Sequence, residues 1–190
     1  MQHAPLSTSQ TLGADLRALR KARGLTLHDL ADALNRSVGW MSQVERDLSE
    51  PSITDLRHIA QALGVSVSML FRHAAAPAHE AGFIVRQGAR RPIGSSVAGL
   101  VEELLSPDLT DDFEMVHSTF QPFSRIKDLV TRPTQEVGYL ISGSLEFEID
   151  GTTHTLNPGD SFRVRGEPFR WSNPNPDPAV AIWVIAPPVY

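Results

Sequence analysis

Near residue 75 the chain changes its hydrophobic period, and that change limits the fold more than any single residue does. Residues 12–71 are rich in Leu and Ala, with apolar positions three and four apart, the spacing of helices that bury one face. From Gly82 onward short alternating runs are separated by Pro and Gly, which is the pattern of strands and turns. Between them RHAAAPAHEAG, residues 72–82, is small, Ala-rich and interrupted by Pro77, and reads as a linker. A single switch of period with no return predicts a multidomain chain, α then β. The expected boundaries are a helical domain over 10–73, a linker over 74–82 and a β domain over 83–190. A length of 190 residues is enough for two small cores.

Five short helices are expected in the first part. Leu12, Leu16 and Leu19 mark the first, which stops at Gly24. Thr26 and Asp29 stand at capping-box spacing ahead of Leu27, Leu30, Ala31 and Leu34. Ser37 is an N-cap for a third helix bearing Val38, Met41 and Val44. Ser52 and Asp55 repeat the capping spacing before Ile53, Leu56, Ile59, Ala60 and Leu63, with Gly64 as the stop. The short run SVSMLF closes a compact bundle. Within it LTLHDLADALNRSVGWMSQVERD reads as helix, tight turn, helix, a unit whose second helix can enter a major groove.

These segments resemble the DNA-binding domain of lambda-repressor/Cro-like regulators. The matching pieces are LRALRKARGLT, LADAL, SVGWMSQVERD and PSITDLRHIAQALGVS, in order and at the right spacing over nearly all of 12–71. The resemblance implies that Arg20 pairs with Glu45, which closes the recognition helix. It also implies double-stranded operator DNA as a partner. The candidate DNA-binding residues are Thr26, Arg36, Ser37, Val38, Gly39, Trp40, Ser42, Gln43 and Arg46. Gln43 can bond an adenine edge with both ends of its amide, Val38 can touch a thymine methyl, and Gly39 permits close approach. Arg36, Arg46 and the capped helix starts at Thr26 and Ser37 can hold phosphates, which position a domain without reading sequence. Trp40 either stacks on the DNA or packs against the turn. The chain departs from the family at Leu27, where members often carry a Gln that touches phosphate. A protein-interaction module is the alternative use of such a bundle.

Charge bears on this reading. The net formal charge of −5 argues against nucleic acid until it is divided along the chain. Residues 1–76 hold 8 basic and 7 acidic residues, and residues 77–190 hold 9 and 15. The acidity therefore belongs to the β part. A balance of +1 in the helical part is weak for DNA binding, so a homodimer on two half-sites is expected to raise affinity through effective concentration. The absence of Cys excludes a disulfide scaffold, a thiol nucleophile, a zinc finger and a Cys-ligated cluster. No run approaches a membrane span, and MQHAPLSTSQTLGADLR has no basic segment followed by an apolar core. A cytoplasmic protein without membrane partners is expected.

In the β part eight strands are expected: VAGLVEELLS, FEMVHSTFQP, QEVGYLIS, SLEFEID, TTHTLN, DSFRVR, FRWSN and VAIWVIAP. Ser142-Gly143, Asp150-Gly151, Asn157-Pro158-Gly159 and Asn173-Pro174 are the turns. In SLEFEID, Leu145, Phe147 and Ile149 alternate with Glu146 and Glu148, giving one buried and one wet face. EVGYLISGSLEFEIDG and NPGDSFRVRGEPFRWSN resemble a cupin, a small jelly-roll β-barrel, over about the last 80 residues. The expected fold is thus a five-helix helix-turn-helix bundle plus a cupin-type jelly-roll β-barrel.

An active cupin holds a metal with three His and one Glu, a donor set suited to Fe, Mn, Ni or Zn. At those positions this chain offers Val130, Arg132, Glu136 and Phe169, or Leu129 and Thr131 on the alternative spacing. No His remains, so neither a metal nor another cofactor is expected, and the chain is not expected to be an enzyme. His117 and His154 lie off the motif. Arg132, Glu136 and Phe169 become the candidate effector-binding residues. A fixed cation beside a fixed anion suits a small polar effector: an amine, an amino acid or a carboxylate. The alternative is a mutual ion pair on a loop that closes the barrel. The combined layout resembles bacterial one-component transcription regulators, which implies a barrel that senses a metabolite and a bundle that binds an operator. A metal-dependent cupin enzyme tethered to a DNA-binding domain is the rival reading.

Overall fold

The computed structural model describes residues 11–65, 67–70, 78–80, 82–93, 99–107, 109 and 111–188. The chain divides into two compact units, one of residues 1–91 with 107–110, the other of 92–106 with 111–190. Most of the expected linker, 71–77 and 81, lies outside the described residues, as do the expected domain limits at 10 and 73.

Among the described residues the first unit contains five α-helices: α1 (Leu12–Ala22), α2 (Leu27–Ala33), α3 (Val38–Val44), α4 (Ile53–Leu63) and α5 (Val67–Leu70). Each of the first four begins on a side-chain cap. The Thr11 hydroxyl accepts the Ala14 N–H, and the Ser37 hydroxyl accepts the Trp40 N–H. Thr26 with Asp29, and Ser52 with Asp55, form reciprocal capping boxes. The Thr26 and Ser52 hydroxyls respectively hold the Asp29 and Asp55 carboxyls below the ordinary carboxylate range, and Arg36 adds to the lowering at Asp55. Gly24 and Gly64 end α1 and α4 in the left-handed region. Asn35, also left-handed, makes the tight turn between α2 and α3.

The helices bury Leu16, Leu19, Leu30, Met41, Ile59, Leu63 and Met69. α1 crosses the end of α3 so closely that a β-carbon on Gly13 would stand 2.4 Å from the Val44 carbonyl oxygen. The Gly13 N–H donates to Asp47 Oδ1 at 2.9 Å. Beside this crossing Arg20 grips Glu45 with two bonds, Nε to Oε1 at 2.5 Å and Nη2 to Oε2 at 2.9 Å, and Nη1 donates to the Leu25 carbonyl. The pairing implied by the family resemblance is therefore present, and both side chains are buried.

The described strands are β1 (Arg91–Pro92), β2 (Leu100–Leu104), β3 (Glu114–Phe120), β4 (Gln135–Ser142), β5 (Leu145–Ile149), β6 (Thr152–Leu156), β7 (Ser161–Val164), β8 (Phe169–Ser172) and β9 (Ala179–Ala186). They form a six-stranded sheet in the order β1-β2-β3-β9-β4-β7 and a three-stranded sheet in the order β6-β5-β8. All eight expected strands form, and β1 is an additional two-residue edge strand. Alternation decides what faces inward. Glu136, Gly138 and Leu140 of β4, and Ala179, Ala181, Trp183 and Ile185 of β9, are buried. Val137, Tyr139, Ile141 and Val184 point the other way and are exposed.

Between the sheets Phe147, Phe162, Phe169 and Trp183 form an aromatic cluster with centroid separations of 4.4 to 6.3 Å. Phe162 lies directly over Gly138, its partner on β4, where any β-carbon would be 2.1 Å from the ring. Asn173 closes the far loop. Fully buried, its amide donates to the carbonyls of Phe120, Gln121 and Asp177.

Candidate functional site

The first candidate surface belongs to α3. Its inner face is fixed by Met41 and Val44, and this leaves Val38, Gly39 and Gln43 exposed on the outer face, with Ser42 and Trp40 half-buried. Arg46 follows the helix, exposed, with its Nε donating back to the Ser42 carbonyl. Thr26 and Ser37 face solvent at the starts of α2 and α3. Eight of the nine expected DNA-binding residues thus lie on α3, just after it or in the turn before it, while Thr26 lies at the start of α2.

Arg36 has a place that sequence reasoning did not provide for. Its Nη2 donates to Asp55 Oδ1 at 2.7 Å, and its guanidinium lies 5.0 Å from the centre of the Trp40 ring. Arg36 and Trp40 are one helical turn apart in sequence. Asp55, by contrast, could be joined to them only through the fold.

The second candidate site lies on the inner side of the barrel. Glu136 is fully buried on β4, and its Oε1 accepts the Thr134 hydroxyl at 2.7 Å. Arg132 precedes the strand, so it does not share β4 with Glu136. Its Nη1 is 3.7 Å from Glu136 Oε1, and its guanidinium stands 6.0 Å from the centre of the Phe169 ring. The three residues proposed from sequence are therefore brought together, with Glu136 and Phe169 buried and Arg132 partly exposed.

Three further groups escaped the sequence reading. Thr134 stands two residues before Glu136, a same-face spacing that could have signalled it. Glu102 on β2 accepts the Ser118 hydroxyl across the β2–β3 pair at 3.2 Å. Burial pushes the Glu102 carboxyl above its ordinary value; Ser118 and the Arg132 charge oppose the rise, and the Glu136 charge adds to it. Trp183 carries a buried indole N–H.

A cupin metal does not fit these residues. Of the four expected ligand positions only Glu136 bears a donor, and the Arg132 guanidinium beside it would repel a cation. Val130 pairs its backbone with Phe169 instead. His154 is exposed on β6, and His117 faces Glu103 across the β2–β3 pair. Among the described residues no group of three or more His, Asp or Glu is placed to hold a metal ion.

A cleft of about 410 Å³ lies elsewhere, on the outer face of the three-stranded sheet, lined by Arg125, Lys127, Arg170, Glu146 and Glu148 among others. It includes none of the three candidate effector residues.

The helix-turn-helix domain family matches residues 11–70, and the cupin domain family matches residues 116–185. The chain carries a helix-turn-helix domain and a C-terminal cupin domain. Over 60 residues it is 40% identical to the immunity repressor protein of Bacillus phage phi105, a match covering 32% of this chain and 42% of the repressor. The chain thus spans less than half the length of that relative. A helix-turn-helix family transcriptional regulator from Vibrio cholerae is 22% identical, with 93% of this chain and 95% of that chain covered and a TM-score of 0.44. The cupin domain of a transcriptional regulator from Enterobacter cloacae is 28% identical, covering 47% of this chain and 98% of that chain, with a TM-score of 0.42. Among the described residues no helix is long and apolar enough to cross a membrane.

Proposed function

We propose that this chain is a sequence-specific DNA-binding transcription regulator, acting in the cytoplasm as a homodimer, whose cupin barrel senses a small polar metabolite. The observation that carries the reading is the exposed face of α3. Val38, Gly39 and Gln43 remain uncovered on a helix that is capped, buried on its other side and held by the Arg20–Glu45 pair. Those side chains match the base-edge and methyl contacts of a major groove. The helix-turn-helix match and the repressor relative support the same reading.

The homodimer is supported by the outer face of the six-stranded sheet. There Val137, Tyr139, Ile141 and Val184 are about half exposed on adjacent strands. A second copy presenting the same face would cover it by two-fold symmetry. Sensing is supported by the convergence of Arg132, Glu136 and Phe169. An effector changes DNA affinity only through its different affinities for the DNA-competent state and its alternative.

Selection of bound duplexes from a random pool, followed by anisotropy titrations, tests the reading. One enriched sequence is expected. Gln43→Ala should relax the preference at one base pair, worth about 1–3 kcal/mol. Arg46→Ala should weaken binding to every sequence and lower the salt slope by about 1. No enriched sequence, or equal and uniform losses for both variants, would overturn it.

A further inference from the structure

Two polar atoms buried in the barrel, Oε2 of Glu136 and Nε1 of Trp183, have no hydrogen-bond partner among the described residues. They stand on adjacent strands. Glu136 is opposite Ile185, and Trp183 lies two residues along β9, so the two are diagonal neighbours on the inner face, with α-carbons roughly 7–8 Å apart and β-carbons closer. One is an anionic acceptor and the other a neutral donor, and each bears a desolvation cost that a ligand can relieve.

Arg132 supplies the third group. Its side chain is 41% exposed and 3.7 Å from Glu136 Oε1, too far for a hydrogen bond. Its guanidinium donates no hydrogen bond among the described residues, so its N–H fork is unspent. Thr134 meanwhile holds Oε1 of Glu136 and leaves Oε2 as a buried acceptor with no donor among the described residues. The site therefore offers one acceptor with a negative charge, beside donors of which one is cationic.

We propose that this site binds a free α-amino acid, its ammonium group donating to Glu136 Oε2 and its carboxylate accepting from Arg132 and the Trp183 indole. The assignment rests on the sensor reading above and narrows it. An amine alone would leave Arg132 and Trp183 unanswered. A carboxylate alone would set a second negative charge against Glu136 and give Oε2 no donor. An α-amino acid carries both groups on one carbon, which matches a cation and an anion set side by side. Burial raises the Glu102 carboxyl, the other carboxyl that feels the Arg132 charge.

The test uses the full chain. The twenty standard amino acids are screened by thermal shift. The best is then titrated by calorimetry beside its decarboxylated amine, its deaminated acid and its N-acetyl derivative. At least one amino acid should stabilise the protein, and each of the three analogues should bind at least tenfold more weakly. Glu136→Gln and Arg132→Ala should each weaken the amino acid at least tenfold, with Arg132→Lys intermediate. The partly exposed Arg132 keeps the test decisive if the Glu136 variant fails to fold.

Stabilisation by no amino acid, equal affinity for the amine or the acid alone, or unchanged affinity in Arg132→Ala would each overturn the assignment. Duplex selection run in parallel separates the two readings. An enriched operator without amino-acid binding defeats only this inference. Amino-acid binding without any enriched duplex defeats the regulator and leaves the site standing.

Discussion

Glu45→Ala should cost the helical unit most of its stability. Glu45 takes two bonds from Arg20, and the two side chains are only 4% and 9% exposed. Removing one partner of such a pair leaves a buried charge uncompensated, at a cost of about 3–5 kcal/mol. A domain of this size, at about 0.05–0.15 kcal/mol per residue over roughly 60 residues, has only some 3–9 kcal/mol to lose. At about 4–8 °C per kcal/mol, the melting temperature should fall by about 12 °C or more.

The helices lie in the first unit, so circular dichroism at the helix band follows its unfolding in the full chain. A second variant separates charge from packing. Arg20→Met with Glu45→Leu removes both ions and keeps volume, and should recover to within about 1 kcal/mol of the native protein. If Glu45→Ala melts within about 1 kcal/mol of the native protein, or if the double variant is no better than the single, the pair does not hold α1 on α3 and the reasoning fails.

Three further outcomes follow from the barrel. Gly138→Ala would press a methyl group into the Phe162 ring, and overpacking of this kind costs about 1–3 kcal/mol or more, readable as an earlier urea midpoint. Asn173→Ala removes the donors to three backbone carbonyls, at about 1–3 kcal/mol for each group left dry, and calorimetric melting should show the loss in the β unit. Glu102→Gln tests the raised carboxyl. The folded state holds that proton more tightly than the unfolded one, so the stability it contributes is complete below the ordinary glutamate value and is lost as pH rises through the raised value. The variant should therefore melt with the native protein near pH ~4 and above it near pH ~8. A gap that widens toward acid would contradict the assignment.

Local chemistry was legible in the sequence, and long-range juxtaposition was not. The caps at Thr26, Ser37 and Ser52 and the stops at Gly24 and Gly64 depend on neighbours within a few residues, so spacing alone reveals them. The strand alternation around Leu145 and Phe147 is equally local. Gly13 offers no comparable signal, because what demands glycine there is the carbonyl of Val44 on another helix. Glu136 could be placed through its motif. Glu102, Ser118 and Trp183 join the same region only through the registers of β2 on β3 and β4 on β9, which no window of sequence contains. Arg36 was readable as a cation, while its engagement by Asp55, nineteen residues on, was not.

That engagement has a consequence for how the protein would respond to ionic strength. An arginine that keeps a carboxylate beside it brings little net positive charge to the duplex, and so displaces fewer counterions than a free arginine would. On a duplex, Arg36 would add geometry and contact area yet little to the dependence of affinity on salt. The slope of log affinity against log salt would then fall short of the number of phosphates touched. A DNA-binding protein built this way would keep its grip over a wider range of ionic strength than its basic residues alone would suggest.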